Sequence, residues 1–526
     1  MTDTVENIPV KLATLRAAAL AAAIPSAKIR IDRLKRLRAM IRKHQNAFAA
    51  AASADFGCRP VLQTRMEIGA SVDSAEYAIK RVARWMRPER ITLPLPMRAT
   101  GARAVVLPQP LGVVGVMSPW NFPFALTLTP LAGILAAGNV ALVKPSELTP
   151  ASAEALADAI REFYAPDELD TVVGGLDVAQ AFSAQPFDHM LFTGSPPVAH
   201  HVLRAAADHL MPVTLELGGK CPVIVGAGAD LAKTVRRVMW GNMQNAGQIC
   251  LAPDTVFMPA GQEDAFAAEA RKVVNGWFPT MRDNPDYTAI VNQKNFERVS
   301  GYVEEARAAG VRIETLAPPG ERFDQQQHRK IPPTLVFDPP GDLAISREEI
   351  FGPPIAVRTY SNLDSVIAYI NDRPRPLAIY YFGSDKREQR LLESRTTSGG
   401  MTVNDVVMHA AVEELPLGGV GNSGMGAYHG KVGFDTFSHR KSVFSQGRVS
   451  LAGLFSPPYK PWMHKLLKKS LGSYGSEEHR RGHQSLHRSA RSTRDMDDDR
   501  HLLDDGCARA GDAGGQSQAA GRGADA

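Results

Sequence analysis

The sequence predicts an α/β protein with a doubly wound parallel sheet, and three observations support this prediction. The chain has 526 residues, of which 44% are hydrophobic, so it can bury a large core in more than one domain. From Gly112 onward, short runs rich in Val, Ile and Leu alternate with segments whose apolar residues recur at helical spacing. A second alternating series runs from about residue 220 to 415. Such alternation is typical of parallel strands covered by helices on both faces.

The elements before this series are a helix and a hairpin. Residues 29–48 place Ile31, Leu34 and Leu37 at helical spacing with Arg and Lys on the other faces, which predicts an amphipathic surface helix packed on a core. A helix that binds a membrane surface or a partner is the alternative. At residues 90–112, two extended apolar runs flank a Gly-containing turn, which predicts a β-hairpin.

Within and after the alternating series, local signals mark individual elements. Gly138 follows LTLTPLAGILAA and is expected to end a helix, and Pro150 is expected to open the next one. The glycine-rich stretch 418–426 lacks a strand-to-helix context and is predicted to be a mobile loop. Beyond Gly475 the chain loses nearly every large apolar residue, so residues 476–526 are expected to be a disordered tail.

Charge and cysteine content exclude several classes of protein. The formal net charge of +5, from 60 basic and 55 acidic residues, is small for this length, so no nucleic-acid partner is expected. No run approaches the roughly 20 apolar residues of a membrane helix, so no membrane partner is expected either. Cys58, Cys221, Cys250 and Cys507 lie far apart without C-x-x-C spacing, which predicts no metal site and no disulfide framework. Reduced thiols fit a cytoplasmic protein.

Three side chains that follow strand-rich segments form a candidate catalytic set. Asn121 stands in SPWNFP, Glu216 in TLELGGK and Cys250 in NAGQIC. Taken singly, each has a structural alternative, because the amide could cap a turn, the carboxylate could pair with Lys220, and the thiol could fill a core. Taken together, they suit chemistry on a carbonyl. A thiolate attacks an aldehyde carbon, an amide stabilises the oxyanion, a hydride leaves, and a carboxylate activates water against the thioester.

A candidate phosphate site lies where a strand meets a helix in FTGSPPVAHHV. The strand ends at Gly194 and Ser195, and Pro196 and Pro197 occupy the first turn of the helix, where missing N–H groups cost little. Free amides at a helix N-terminus can hold phosphate groups. Because no G-x-G-x-x-G follows an early strand, this expectation rests on position alone.

Seven motifs occur in order along the chain, namely SPWNFP, LVKPSE, FTGS, LELGGK, NAGQIC, EEIFGP and TVND. This ordered set resembles the signature of the NAD(P)-dependent aldehyde dehydrogenase superfamily over about residues 10–460. Within the superfamily, KPSE, NPDYTAI, RPRPLAIYYFG and GMGAYHGKVGFDTFSH resemble most closely the coniferyl aldehyde dehydrogenase group. The resemblance implies an aldehyde dehydrogenase-like fold with a doubly wound Rossmann-type cofactor domain, an α/β catalytic domain and a bridging β-hairpin.

Domain boundaries follow from the same resemblance. It implies a cofactor-binding domain of residues 1–89 and 113–217 and a catalytic domain of residues 218–429. Residues 90–112 and 430–460 would form the bridging segments. Exchange of their strands between two copies implies a homodimer.

The resemblance also assigns catalytic roles. It implies that Cys250 is the nucleophile, that Asn121 and the Cys250 backbone N–H form the oxyanion hole, and that Glu216 is the general base. A free thiol has a pKa of about 8.5, so Cys250 is expected to need nearby dipoles or the cofactor to ionise near neutral pH.

Other positions match the cofactor site of the superfamily. Lys144 and Glu147 match residues at the adenosine ribose, and Ser195 matches one at the pyrophosphate. Glu349 and Phe351 match residues that hold the nicotinamide ribose and ring. The implied cofactor-binding set is completed by Trp120, Gly194 and Leu217. Because Glu147 would repel a 2′-phosphate, NAD is expected over NADP, although related enzymes with a Glu there use both. Two residues depart from the family pattern, since Pro196 stands where Thr is common and Ala199 where Gly is common.

The expected reaction is oxidation of an aldehyde to the carboxylic acid with NAD. The subgroup resemblance points to an aromatic, coniferaldehyde-like substrate, and medium-chain aliphatic aldehydes are the alternative. A second alternative is transfer of the acyl group to coenzyme A, although family members that do so generally lack a Glu at the position of Glu216. A non-catalytic binding protein on the same fold is a third.

Overall fold

The computed structural model describes residues 3–324 and 326–471. Its two compact units are residues 3–93 with 103–445, and residues 94–102 with 446–471. The tail predicted to be disordered, residues 476–526, and Cys507 within it lie outside the described residues.

Helices and strands alternate along most of the described chain. The helices are α1 (Asn7–Ala22), α2 (Ala27–Phe56), α3 (Val61–Trp85), α4 (Leu95–Ala99), α5 (Ala125–Ala137), α6 (Pro150–Phe163), α7 (Leu176–Ser183), α8 (Pro196–Ala207), α9 (Leu231–Met243), α10 (Glu263–Trp277), α11 (Gln293–Ala308), α12 (Ala344–Arg347), α13 (Leu363–Asn371), α14 (Lys386–Arg395), α15 (Gly430–Thr436) and α16 (Pro461–Leu471). The strands are β1 (Glu89–Ile91), β2 (Arg103–Pro110), β3 (Val113–Met117), β4 (Val140–Lys144), β5 (Leu169–Thr171), β6 (His189–Thr193), β7 (Val213–Glu216), β8 (Pro222–Val225), β9 (Thr255–Pro259), β10 (Ile313–Thr315), β11 (Thr334–Phe337), β12 (Pro354–Tyr360), β13 (Ala378–Phe382), β14 (Gly400–Val403), β15 (Gly424–Met425) and β16 (Ser438–Ser445).

The predicted amphipathic helix is confirmed as α2, which extends beyond residues 29–48 at both ends. Ser26 caps it, because the Ser26 hydroxyl accepts a hydrogen bond from the Ile29 N–H. Leu34 and Leu37 are fully buried on its inner face. Helices α2 and α3 pack against each other and against α5, so this N-terminal part of the chain covers the helix that follows β3.

The first sheet confirms the predicted doubly wound parallel topology. Its strand order is β15-β7-β6-β3-β4-β5, in which β3 to β7 are parallel and β15 is antiparallel. The chain winds from β3 to one side of the sheet and then returns to form β6 on the other side. Ligands bind at the carboxyl edge of such a sheet where the winding reverses, and Asn121 follows β3 at this point.

The second alternating series is also confirmed, as a seven-stranded sheet with the order β10-β11-β12-β9-β8-β13-β14. Strands β8, β9 and β13 at its centre are fully or nearly fully buried, which explains their continuous apolar sequences. None of the helices in the described ranges combines the length and the apolar character needed to cross a bilayer.

The predicted hairpin over residues 90–112 is confirmed as an antiparallel pair, but its connection differs from the prediction. Strand β1 pairs with β2, and the intervening chain contains the short helix α4 instead of a simple turn. Pro94 precedes this helix and Pro96 occupies its first turn, where a missing N–H costs nothing. Strand β16 pairs with β2 along eight residues and completes a three-stranded sheet.

Helix α5 ends as predicted at Gly138, whose φ of 93° lies in the left-handed region that glycine adopts readily. The buried Arg30 side chain closes this end, since its Nη1 donates to the carbonyls of Ala136 (3.0 Å) and Ala137 (2.6 Å). Pro150 opens α6, also as predicted.

Candidate active site

Asn121 and the segment before Cys250 are joined by a small hydrogen-bond network. The Asn121 Nδ2 donates to the Gln248 carbonyl over 3.1 Å. The Asn245 Nδ2 donates to the Asn121 carbonyl over 3.0 Å and to the Gln248 carbonyl over 3.2 Å. Asn121 and Gln248 lie 127 positions apart, and Gln248 precedes Cys250 by two residues. The network therefore holds Asn121 next to the loop that carries Cys250.

The backbone before the cysteine has an unusual left-handed conformation. Asn245, Ala246 and Gly247 have φ values of 50°, 51° and 72° in succession. A Cβ atom at Gly247 would lie 2.2 Å from the carbonyl oxygen of Gly352, so only glycine fits there. Left-handed non-glycine residues cost of order 1 kcal/mol each and persist where surrounding contacts enforce them.

Gln248 supplies those contacts from a fully buried position. Its Nε2 donates to the carbonyls of Asn245 (2.9 Å) and Ala289 (3.1 Å), and its Oε1 accepts from the Val291 N–H (3.0 Å). The side chain thereby fixes the turn that presents Cys250.

Glu216 ends β7 and is 1% exposed. The glycine-rich stretch predicted to be a mobile loop is paired at this point, because Gly424 in β15 lies opposite Glu216. The Gly194 N–H donates to the Glu216 carbonyl over 3.1 Å, which links the predicted phosphate loop to the predicted base. The Leu217 N–H donates to the Ser423 carbonyl over 3.1 Å.

The alternative ion pair between Glu216 and Lys220 is wrong. Lys220 pairs with Asp254 and donates to the carbonyls of Ile345 (2.7 Å) and Glu348 (2.9 Å). Neither carboxylate oxygen of Glu216 has a hydrogen-bond partner within residues 3–324 and 326–471. The carboxylate is thus buried and available.

Burial controls the ionisation of the site. Burial is the main cause that raises the pKa of Glu216 to about 7. The nearby Cys250 thiol lowers this pKa to a smaller extent, although it forms no complete hydrogen bond to either carboxylate oxygen. Burial also raises the pKa of Cys250 well above its usual range, and the charges of Glu216 and Glu349 raise it further. Burial raises the pKa of Tyr428, and the nearby Glu216 and Cys250 raise it further.

Glu216→Gln is expected to stabilise the fold at alkaline pH. A carboxyl with a raised pKa in the folded state binds its proton more tightly than in the unfolded state, so stability falls as pH rises from 4.5 to about 7. At about 1.36 kcal/mol per pKa unit, the full cost above pH 7 is about 3 kcal/mol. Gln removes this cost. Denaturant titrations should give a free energy of unfolding about 2–3 kcal/mol above that of the parent at pH 8, with no difference near pH 4.5. Equal stabilities at pH 8 would contradict this assignment of the pKa.

Several predicted cofactor residues meet next to the cysteine loop. The Trp120 and Phe351 rings contact edge to face with centroids 5.3 Å apart. The Glu349 carboxylate packs against Gly218, where a Cβ atom would lie 2.3 Å from both of its oxygens. Burial raises the pKa of Glu349 to about 8, and its Oε1 has no partner in the described part of the chain. The Lys220 contacts with the 345–348 carbonyls hold this segment in place.

The other predicted cofactor residues lie at the carboxyl ends of β4 and β6. The buried Lys144 Nζ donates to the Pro145 carbonyl (2.7 Å) and to the partly exposed Glu147 carboxylate (3.3 Å). Ser195 is the N-cap of α8, but its side chain makes no capping hydrogen bond. The methyl group of Ala199 is buried in the apolar cluster behind the sheet, so it faces the sheet.

Pro196 and Pro197 reduce the number of free amides at the start of α8. A helix leaves its first four N–H groups free, and two of these positions have none here. The Ser195 and Val198 amides remain, as the Ala199 N–H already donates to the Ser195 carbonyl. The missing donor at Pro196 belongs to the departure from the family pattern, and it leaves one amide fewer to bind an anion at this helix end.

Sequence reasoning missed three residues of the site. Asn245 and Gln248 were visible only as parts of the NAGQIC motif, and the tolerance of Asn for left-handed φ was the available signal for Asn245. Arg59 gave no signal, although its buried guanidinium donates to the Asn121 carbonyl over 3.1 Å.

A doubly wound sheet with Asn121 and the buried Glu216 at the carboxyl ends of its strands, and with a thiol on the adjoining loop, is the arrangement of an aldehyde dehydrogenase. The chain belongs to the aldehyde dehydrogenase family, which matches residues 7–443, and is an NAD(P)-dependent enzyme of that family.

Individual relatives and a solved structure are similar to this chain over most of its length. The chain is 49% identical over 447 residues to a probable coniferyl aldehyde dehydrogenase of Caulobacter vibrioides, covering 84% of this chain and 92% of the relative. It is 48% identical over 448 residues to the coniferyl aldehyde dehydrogenase of a Pseudomonas species, covering 85% and 92%. A solved structure of Staphylococcus aureus AldH in a substrate-bound state superposes with a TM-score of 0.83 at 33% identity, covering 90% of this chain and all of that one.

Proposed function

We propose that this enzyme oxidises an aromatic, coniferaldehyde-like aldehyde to its carboxylic acid with NAD, using Cys250, Asn121 and Glu216. The observation that carries the chemistry is the meeting of the Asn121 network and the unpartnered Glu216 carboxylate at the cysteine loop. The names of relatives that are 48–49% identical support the substrate class.

In the first half of the proposed reaction, Cys250 releases its proton to solvent and attacks the aldehyde carbon as a thiolate, which forms a thiohemiacetal. The Asn121 Nδ2 carries two hydrogens, of which one is used on the Gln248 carbonyl. The second hydrogen stabilises the oxyanion together with the Cys250 backbone N–H. Loss of a hydride from the carbon leaves a thioester on the sulfur.

The residues implied for the cofactor fit a dinucleotide. The free Glu349 oxygen suits a ribose hydroxyl, the Trp120 and Phe351 rings suit a nicotinamide, and the uncapped Ser195 hydroxyl suits a phosphate. Lys144 and Glu147, which are joined by a hydrogen bond of 3.3 Å, suit the hydroxyl groups of the adenosine ribose. When bound, NAD(P) supplies the acceptor for the hydride.

In the second half, Glu216 acts as the general base that removes a proton from water, and the hydroxide cleaves the thioester. A base works best when its pKa lies near the working pH, and a pKa of about 7 meets this condition. Glu216 also argues against the alternative of acyl transfer to coenzyme A, because family members that carry out this transfer generally lack a Glu at this position.

The substrate proposal predicts a kcat/KM for coniferaldehyde at least about tenfold above that for octanal, since a pocket that fits a planar ring binds a flexible chain less well. Steady-state formation of reduced nicotinamide measures both values in one buffer. A clear preference for octanal would contradict the aromatic substrate class but not the aldehyde dehydrogenase activity.

We expect a preference for NAD over NADP, because the partly exposed Glu147 carboxylate repels a 2′-phosphate. Glu147→Gln removes the charge and keeps the size, so the ratio of kcat/KM values for NAD and NADP should fall by about fivefold. Asp158→Asn, a comparable exposed charge change on α6, is the control and should leave the ratio unchanged. Equal efficiency of the parent with both cofactors would contradict the preference.

We further propose the domain division given by the family resemblance, with residues 1–89 and 113–217 for the cofactor and 218–429 for catalysis. The two separate sheets support the division, and β15 is the one strand in the described part of residues 218–429 that pairs with the first sheet. We also propose a homodimer built through the three-stranded sheet, and a cytoplasmic location consistent with the free thiols of Cys58, Cys221 and Cys250.

A further inference from the structure

Arg59 and Glu67 form a buried ion pair beneath the loop that carries Asn121. Both side chains are 0% exposed, and the Arg59 Nη2 donates to the Glu67 Oε2 over 2.8 Å. The Phe56 and Phe122 rings lie 5.0 and 5.1 Å from the guanidinium carbon. Two charges removed from water are tolerated only when further hydrogen bonds satisfy them.

Those further hydrogen bonds reach the loop between β3 and α5. The Arg59 Nη1 donates to the Asn121 carbonyl over 3.1 Å. The Glu67 Oε1 accepts from the backbone N–H groups of Phe124 (2.8 Å) and Ala125 (3.0 Å). The pair therefore fixes the loop at two points, and its anion lies at the N-terminus of α5, where the helix dipole favours negative charge.

The same Asn121 carbonyl also accepts from the Asn245 Nδ2 on the cysteine loop. The Asn121 backbone is thus held from both sides, and the Asn121 Nδ2 is itself bound to the Gln248 carbonyl over 3.1 Å. Together these contacts set the direction of the second Nδ2 hydrogen. Oxyanion stabilisation requires a donor at hydrogen-bond distance from the charge that develops, so a small rotation of this loop costs rate.

We propose that Arg59 is a positioning residue that, held by Glu67, aims the Asn121 amide at the oxyanion. It touches neither aldehyde nor cofactor and acts through the Asn121 backbone. The proposal rests on the proposed role of Asn121 as the oxyanion donor.

Arg59→Lys tests this assignment because it keeps the charge next to Glu67 and loses the planar fork that reaches both partners. In single turnovers with saturating NAD and aldehyde, the fast formation of reduced nicotinamide should slow by about 10- to 100-fold. The KM for NAD should stay within about twofold. Alkylation of Cys250 by iodoacetamide needs the thiolate but no oxyanion donor, so its rate should also stay within about twofold.

The route through Asn121 is tested by a double-mutant cycle. Asn121→Ala with and without Arg59→Lys should give the same fast phase within about twofold, since the lysine can misplace only an amide that is present. If the two effects multiply, Arg59 does not act through Asn121 and the proposal is overturned.

Arg30→Lys is the matched control, because Arg30 is equally buried and holds the other end of α5. It should lower stability and leave the fast phase within about twofold. If Arg59→Lys does not fold, Glu67→Gln replaces it, since the amide keeps an oxygen for the α5 N–H groups and loses the charge that orients Arg59. A folded variant of either kind with a parental fast phase overturns the proposal.

Failure of the proposed function gives different results. If the parent oxidises octanal but not coniferaldehyde, the substrate assignment fails and the cycle is run with octanal. If Asn121→Ala leaves the fast phase unchanged, the oxyanion assignment fails and the Arg59 role fails with it. If Asn121→Ala slows the fast phase and Arg59→Lys does not, only the Arg59 role fails.

Discussion

Cys250→Ala is expected to abolish aldehyde oxidation, with turnover falling by about 10⁴-fold or more. Cys221 is a second thiol at this loop, but it is fully buried and its Sγ donates to the Cys250 carbonyl over 3.3 Å. Burial also raises the pKa of Cys221, so this thiol cannot replace Cys250 as the nucleophile. Formation of reduced nicotinamide from NAD and coniferaldehyde measures the loss.

Cys58→Ala is the control for this substitution. The Cys58 thiol makes only long contacts with backbone carbonyls, of which the shortest is 3.5 Å to Tyr287, so activity should remain within about twofold of the parent. Addition of coenzyme A should change neither the parental rate nor the rate of the Cys58→Ala protein. Substantial turnover by the Cys250→Ala protein would contradict the covalent mechanism.

Glu216→Gln is expected to separate the two halves of the reaction. One equivalent of reduced nicotinamide should still form per site, because the sulfur and the oxyanion donor remain. Steady-state turnover should then fall by about 10²- to 10⁴-fold, since an amide cannot accept a proton from water. Acid-quenched protein should carry the acyl group on Cys250, which intact-protein mass measures directly.

The pH profile provides the internal control for the Glu216 assignment. Turnover of the parent should rise with pH through about 7, because the carboxyl must lose its proton before it can act as a base. The Gln variant should lose this dependence. A variant that turns over at the parental rate without accumulating acyl-enzyme would show that another group activates the water.

Much of the architecture was predictable because buried parallel strands have continuous apolar sequences. The segments that end at Met117, Lys144 and Thr193 were recognisable in this way, and so was the edge where Asn121 follows β3. The helix boundaries at Gly138 and Pro150 were predictable because single residues determine them.

The rest depends on contacts between segments that are distant along the chain. Arg59 precedes α3 and Glu67 lies within it, eight positions on, so no helical or strand period links them until the helix is placed against the Asn121 loop. Likewise, nothing local showed that Lys220 pairs with Asp254 instead of Glu216. The link through α4 in the hairpin depends on short-range preferences too weak to read from sequence.

The left-handed turn before Cys250 has a consequence for the order of folding. Gln248 holds that turn through Ala289 and Val291, and Glu216 is flanked by Ser423 and Gly424, so both depend on chain that is synthesised after the cysteine. Closing such long loops is slow. A nascent chain therefore exposes the thiol before its partners exist, and refolding of this enzyme is expected to need a reducing buffer to protect the sulfur from oxidation until the last segments dock.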